Sequence, residues 1–152
     1  MPFTHEKTII ISEAHLDSFG HVNNARYFEL LEQARWDLIT ERGFGIEAIR
    51  STRTGPTILE INVRFLRELK ARDVVVIRTE LISYERKIGK LRQQMIKDDN
   101  VACEAIFTIG LFDIEKRRLI DPTPAWAFAV GLEPADDKGN PRTDGTPTLP
   151  RP

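Results

Sequence analysis

The chain has a single cysteine, Cys103, so no disulfide can form within it and a reducing compartment is the expected setting. No apolar run approaches the ~20 residues that a membrane span needs. The first residues, M-P-F-T-H-E-K, lack the apolar core of a secretory signal, and the cytoplasm is the expected address. Neither sign of charge is in excess: 22 Lys and Arg face 23 Asp and Glu, a formal net charge of -1. Nucleic-acid proteins usually carry a basic excess, so that class is set aside. A Gly-rich phosphate loop and a G-x-S-x-G elbow are also missing. His15, Asp17 and His21 supply metal-ligand types without the spacing of a zinc site, and no metal is expected.

What is present fits one domain. A chain of 152 residues can bury a core without disulfides or metals. The stretch 133–152 holds five of the nine prolines and only Ala135 and Leu149 as apolar residues. Such a composition cannot offset its ordering entropy, which predicts a mobile tail after a domain at 1–132, folded over roughly 3–131.

Thr8 to Ser12 is a short β-type run. Asn24 to Arg42 carries Tyr27, Leu30, Leu31, Ala34 and Leu38 at helical spacing as a buried stripe, with Asn23 or Asn24 as cap and Gly43 as stop. Phe28, Trp36 and Ile39 widen its apolar surface, which predicts packing on more than one side. A further helical turn is expected at 46–50. Beyond Gly55-Pro56 the period becomes two. Leu59, Ile61, Val63 and Phe65 alternate with Glu60, Asn62, Arg64 and Leu66, the pattern of a half-buried strand. Further strands are expected at 74–84, 90–97 and 101–112, with turns at Lys87-Ile88-Gly89-Lys90 and Asp98-Asp99-Asn100. A short helix closes the domain at 122–130. The order β-α-β-β-β-β is most economically packed as an α+β layer, with the sheet wrapped around the one long helix.

The polar loop D-S-F-G-H-V-N-N-A-R-Y, Asp17 to Tyr27, stands just ahead of that helix. A helix start offers free backbone N–H groups that favour negative charge. A lone Asp-x-x-Gly is ordinarily a turn whose aspartate bonds local backbone. The density of Gly20, His21, Asn23 and Asn24 around Asp17 favours function. His21 is a base, a substrate donor or a loop-fixing group, the last being commonest for a lone histidine. Asn23 and Asn24 are most simply caps whose backbone N–H groups also face a substrate carbonyl. Cys103, mid-strand on an apolar face, is a core residue rather than a nucleophile. Basic residues cluster at Arg64, Arg67, Lys70 and Arg72, and more densely at Arg86, Lys87, Lys90 and Arg92, where they could grip a phosphorylated ligand.

This loop, followed by F-E-L-L-E-Q-A-R-W (Phe28 to Trp36), resembles the hot-dog-fold acyl-CoA thioesterase superfamily, specifically its 4-hydroxybenzoyl-CoA thioesterase-like group. The resemblance implies an antiparallel sheet around a central helix, a homodimer or homotetramer, and active sites at the subunit interface. It implies an acyl-CoA substrate and no cofactor, CoA being part of the substrate. Asp17 takes the position of the catalytic carboxylate, and the N–H near Asn24 the position that polarises the thioester carbonyl. His21 and Asn23 complete the candidate catalytic set, and Arg86, Lys87 and Lys90 are the candidates for holding CoA. Tyr27, Leu31, Ile58 and Phe65 are candidates for the acyl pocket.

Asp17 would attack the carbonyl or act as base on water. Two other readings stand beside hydrolysis. An Asp17–His21 pair would suit an enoyl-CoA hydratase or dehydratase. A non-catalytic acyl-CoA-binding module would bind without turnover.

Overall fold

The computed structural model describes residues 3–132. The expected tail at 133–152 lies outside the described residues.

The long helix, α1 (Asn24–Glu41), begins where Asn23 accepts a hydrogen bond from the N–H of Ala25 at 2.9 Å through its side chain. It ends at Gly43, whose φ of +86° reverses the chain. Tyr27, Leu31, Ala34, Leu38 and Ile39 are its buried residues. Around it curves an antiparallel sheet formed by β1 (Thr4–Ile10), β2 (Thr54–Phe65), β3 (Val74–Glu85), β4 (Ile88–Lys97) and β5 (Asn100–Asp113), in the order β1-β3-β4-β5-β2. A short β6 (Arg118–Ile120) extends the sheet beside the end of β5. Two short helices, α2 (Ile46–Thr52) and α3 (Pro124–Val130), complete the domain. This is the α+β arrangement that the sequence pattern predicts.

Burial alternates along β4 as a half-covered strand requires, and along β5 from Cys103 to Phe107, beyond which β5 is buried on both faces through Leu111. Cys103, Ala105, Phe107, Ile109 and Leu111 all face the core, as do Leu91, Gln93 and Met95 beside them. Each fully buried large apolar side chain contributes roughly 1.5–3 kcal/mol. Trp126 of α3 closes one end of this core. It meets Phe44 edge-on at 5.5 Å, and its indole N–H donates to the Tyr84 hydroxyl at 3.0 Å. Arg42 is clasped between the rings of Phe3 (3.8 Å) and Phe128 (4.0 Å) and donates to the Phe128 carbonyl, so α1, α3 and the start of the described chain are joined.

Several expectations need correction. The first strand spans Thr4–Ile10 rather than 8–12, because its polar first half pairs with β3 along an outer edge. The β3–β4 turn is Arg86-Lys87, and Gly89 already lies within β4. Its glycine reflects crowding: a Cβ there would stand 2.8 Å from the Tyr84 ring and 3.1 Å from Ile109. The β4–β5 turn is Asp98-Asp99 with both φ positive, the hairpin type that matches strand twist.

The larger correction concerns β2. It is a strand, but its apolar row is not buried in this chain. A bulge at Leu59 breaks the pairing with β5, and Leu59, Ile61 and Phe65 remain 48%, 43% and 46% exposed. Physically, β2 is an edge strand, and only Val63 of that row packs partly into the core. An apolar edge of this kind is a ready template for another chain. No helix among the described residues is long and apolar enough to cross a membrane.

Candidate active site

After β1, Ile11 is pinned by backbone bonds to Asp73 and Arg72, and a single 3-10 turn at Glu13–His15 leads into the polar loop. Leu16 and Val22 bridge across its base, and the Asp17 N–H donates to the His21 carbonyl at 2.8 Å. Gly20 sits at φ +80°, a conformation that side-chain-bearing residues resist. Val22 also donates to the Leu69 carbonyl, so the loop rests on the β2–β3 connection.

The Asp17 carboxylate is held by one oxygen. Its Oδ1 accepts from the backbone N–H of Phe19 at 2.9 Å and of His21 at 3.3 Å. That is the turn role any Asp-x-x-Gly offers, yet it leaves Oδ2 without a protein partner among the described residues. Asn23 is the α1 cap, and Asn24 opens the helix with an N–H that no acceptor among the described residues takes. A fixed carboxylate thus stands one short loop from a helix N-terminus, a combination able to attack or deprotonate beside a developing oxyanion.

The His21 ring turns elsewhere, with Nε2 3.3 Å from Glu68 of the β2–β3 connection. Only its backbone N–H meets the Asp17 carboxylate, so the Asp/His side-chain pair of the hydratase reading is not assembled within the chain. His15 accepts from the Ser12 N–H at 3.0 Å and fixes the preceding turn.

Arg86, Lys87 and Lys90 lie at the other end of the sheet. β3 starts beside the end of β1, near the Asp17 loop, and runs twelve residues before Arg86. At ~3.3 Å per residue the path along the strand to Arg86 is roughly 40 Å, which keeps these residues away from the loop within one chain. Lys90 donates to Thr108, and Arg92 pairs with Glu80, which leaves the turn residues Arg86 and Lys87 as the cluster's outermost charges. Arg64, Arg67, Lys70 and Arg72 are the basic residues on the loop's own side, with Arg72 bound by both N–H groups to Glu13.

A cavity of about 240 Å³ opens between the later half of α1, the first half of β2, β4, β5 and α3. Its walls are Trp36, Leu38, Ile39, Pro56, Ile58, Leu91, Ile109, Trp126 and Val130, with Glu32 and Arg35 as the charged members. A cavity of ~150 Å³ holds benzene, so this one has space for roughly ten carbon atoms. Of the expected pocket residues, Ile58 lines it. Tyr27 and Leu31 are core residues, and Phe65 meets Tyr27 edge-on at 5.0 Å.

Sequence reasoning missed Glu32, Arg35 and Trp126. A signal existed: an arginine between Ala34 and Trp36 interrupts the helix's apolar surface. Arg35 lies with its guanidinium 4.1 Å over the Phe107 ring and donates to Gln93 Oε1 at 2.9 Å. Gln93 is fully buried, and its amide nitrogen donates to the Leu31 carbonyl and the Thr79 hydroxyl.

Among the described residues no group of three or more His, Cys, Asp or Glu is placed to hold a metal. Cys103 is fully buried, and that burial pushes its thiol up to about 12. Thiolate is the reactive form, so iodoacetamide at pH 8 is expected to leave the folded protein unmodified and to label it once in denaturant, as read by intact mass. Labelling at equal rates in both states would contradict this burial.

A family model described as the thioesterase-like superfamily matches residues 13–130. The long-chain acyl-CoA thioesterase FadM of Escherichia coli (strain K12) is 30% identical over 108 residues, covering 70% of this chain and 81% of the relative. Among solved structures, the probable thioesterase YbaW from Escherichia coli superposes with a TM-score of 0.70 at 27% identity, over 76% of this chain and 88% of that one. A Staphylococcus aureus protein, SAV2348, in complex with CoA superposes with a TM-score of 0.80 over 99% of this chain and 91% of its own. Its 17% identity speaks to the fold alone. The match spans the Asp17 loop, α1, every strand from β2 to β6 and α3, and the chain belongs to the thioesterase-like superfamily as a hot-dog-fold thioester hydrolase.

Proposed function

We propose that the chain hydrolyses acyl-CoA thioesters to a carboxylic acid and CoA, with Asp17 as the reacting carboxylate. The observation that carries this reading is the Asp17 side chain, clamped at Oδ1, one loop before the Asn24 N–H, with both Oδ2 and that N–H unpartnered among the described residues. Oδ2 either attacks the carbonyl carbon, expelling CoA thiolate and forming a mixed anhydride that water opens, or deprotonates the attacking water. In both routes the carbonyl oxygen gains negative charge, which the N–H at the head of α1 stabilises. His21 and Asn23 shape the loop, through the Glu68 contact and the helix cap.

The acting unit in this proposal is a dimer joined along β2. The Asp17 loop lies beyond the Phe65 end of β2, whereas the cavity lies beside Pro56 and Ile58 at the other end. Antiparallel pairing of two copies of β2 covers the exposed apolar row. It also brings the loop of one chain to the cavity of the other. The Arg86-Lys87 turn of the second copy then arrives at the loop's end of the assembly, where it can meet CoA phosphates. Higher assembly from such dimers is compatible with this arrangement.

The test is release of free thiol from a panel of acyl-CoAs graded in length from two to sixteen carbons, a span of about this width bracketing the ~10-carbon cavity. Turnover that rises toward chains filling the cavity is expected. Absence of thiol release across the panel would refute the hydrolase reading.

A further inference from the structure

The cavity is apolar except at Glu32 and Arg35. Arg35 reaches into it from α1, and a guanidinium keeps its proton at any physiological pH. Its surroundings orient it closely. Gln93 spends its amide hydrogens on the Leu31 carbonyl and Thr79, so its oxygen must face Arg35. The Phe107 ring backs the guanidinium from one side. A guanidinium has five N–H donors, and among the described residues only the bond to Gln93 is formed. No carboxylate stands within salt-bridge distance of it among those residues. Burial pulls its affinity for the proton down to about 10, which reflects the cost of holding charge in this wall.

A purely hydrocarbon guest would deepen that cost by displacing whatever water solvates the remaining donors. A guest with an oxygen at the right depth would replace that water. Glu32 lines the same cavity and carries the opposite charge, so an anionic guest would meet repulsion there, while an uncharged oxygen would not.

We infer that Arg35, held in place by Gln93, is the specificity-determining residue of the acyl cavity, selecting aliphatic acyl groups that bear an uncharged hydroxyl or keto oxygen over plain chains of the same length. The inference rests on the acyl-CoA reading above, and its test does not require turnover. Non-hydrolysable thioether analogues serve as probes: S-octyl-CoA and its derivatives hydroxylated at C4, C6 or C8. Dissociation constants are measured by calorimetry on the whole protein.

At least one hydroxylated probe is expected to bind about tenfold or more tightly than S-octyl-CoA, the range for a hydrogen bond to a charged group. Arg35→Met keeps the bulk of the stem and removes the donors. It is expected to abolish the preference and to bind S-octyl-CoA at least as tightly as the unaltered protein does, because no donors remain to be desolvated. Equal binding of all probes by the unaltered protein would overturn the inference with no variant needed. A preference that survives in Arg35→Met would also overturn it. Either result leaves the hydrolase reading standing, because that reading fails only if thiol release is absent.

Discussion

Asp17→Asn is expected to lower kcat by about 10²–10⁴, the usual contribution of a positioned acid–base or nucleophilic carboxylate. The geometry makes this substitution informative. An asparagine oxygen can still accept the Phe19 and His21 amides, so the loop keeps its clamp and only Oδ2 changes chemistry. Asp17→Ala removes the clamp as well. Losing two backbone bonds of which one is long should add a stability cost of about 1–2 kcal/mol, visible as a lower Tm in Ala but not in Asn. Thiol release measured on both variants separates the roles. Undiminished turnover in both would remove Asp17 from the chemistry, while loss in Ala alone would make it a loop-fixing residue. In the asparagine variant with turnover lost, KM should change little, because the side chain that binds acyl and CoA moieties is not the one altered.

Ile61→Glu is expected to convert an active dimer into a folded, inactive monomer. Ile61 stands mid-way along β2 and is 43% exposed, so a charge there costs the single chain little. In a paired edge the same charge would be buried against apolar neighbours from the second copy, which costs several kcal/mol. Sedimentation velocity would report the assembly, and circular dichroism would report the fold. A monomer that keeps full thioesterase activity would refute a site shared between chains. A variant that remains dimeric would move the interface away from β2.

The parts of this fold that were legible in the sequence are those where one periodicity dominates. Tyr27, Leu31, Ala34 and Leu38 repeat at helical spacing and are buried, whereas Leu30 of the same expected stripe is only partly covered, and the alternation from Cys103 to Leu111 marks a strand with one face in the core. The start of β1 was missed because Thr4 to Lys7 carries no apolar alternation. Its stability comes from pairing with β3 and from His5 meeting Glu41 of α1, contacts made across long sequence separations. At β2 the alternation was read correctly, but alternation alone does not say whether the facing layer is this chain or another. The Asp17 loop was legible because its residues are contiguous. The Arg35–Gln93 contact was not, since its members are 58 positions apart and an arginine on a helix ordinarily faces water.

The Asp17 loop and the cavity sit at opposite ends of one β2 strand, and this has a genetic consequence. If each working site takes its loop from one chain and its cavity from the other, damage at the two ends is not equivalent in a mixed population. A chain with a dead loop and a chain with a blocked cavity would form a pair in which one site is intact and the other carries both lesions. Alleles of these two kinds would therefore complement each other, whereas two alleles damaged at the same end would not.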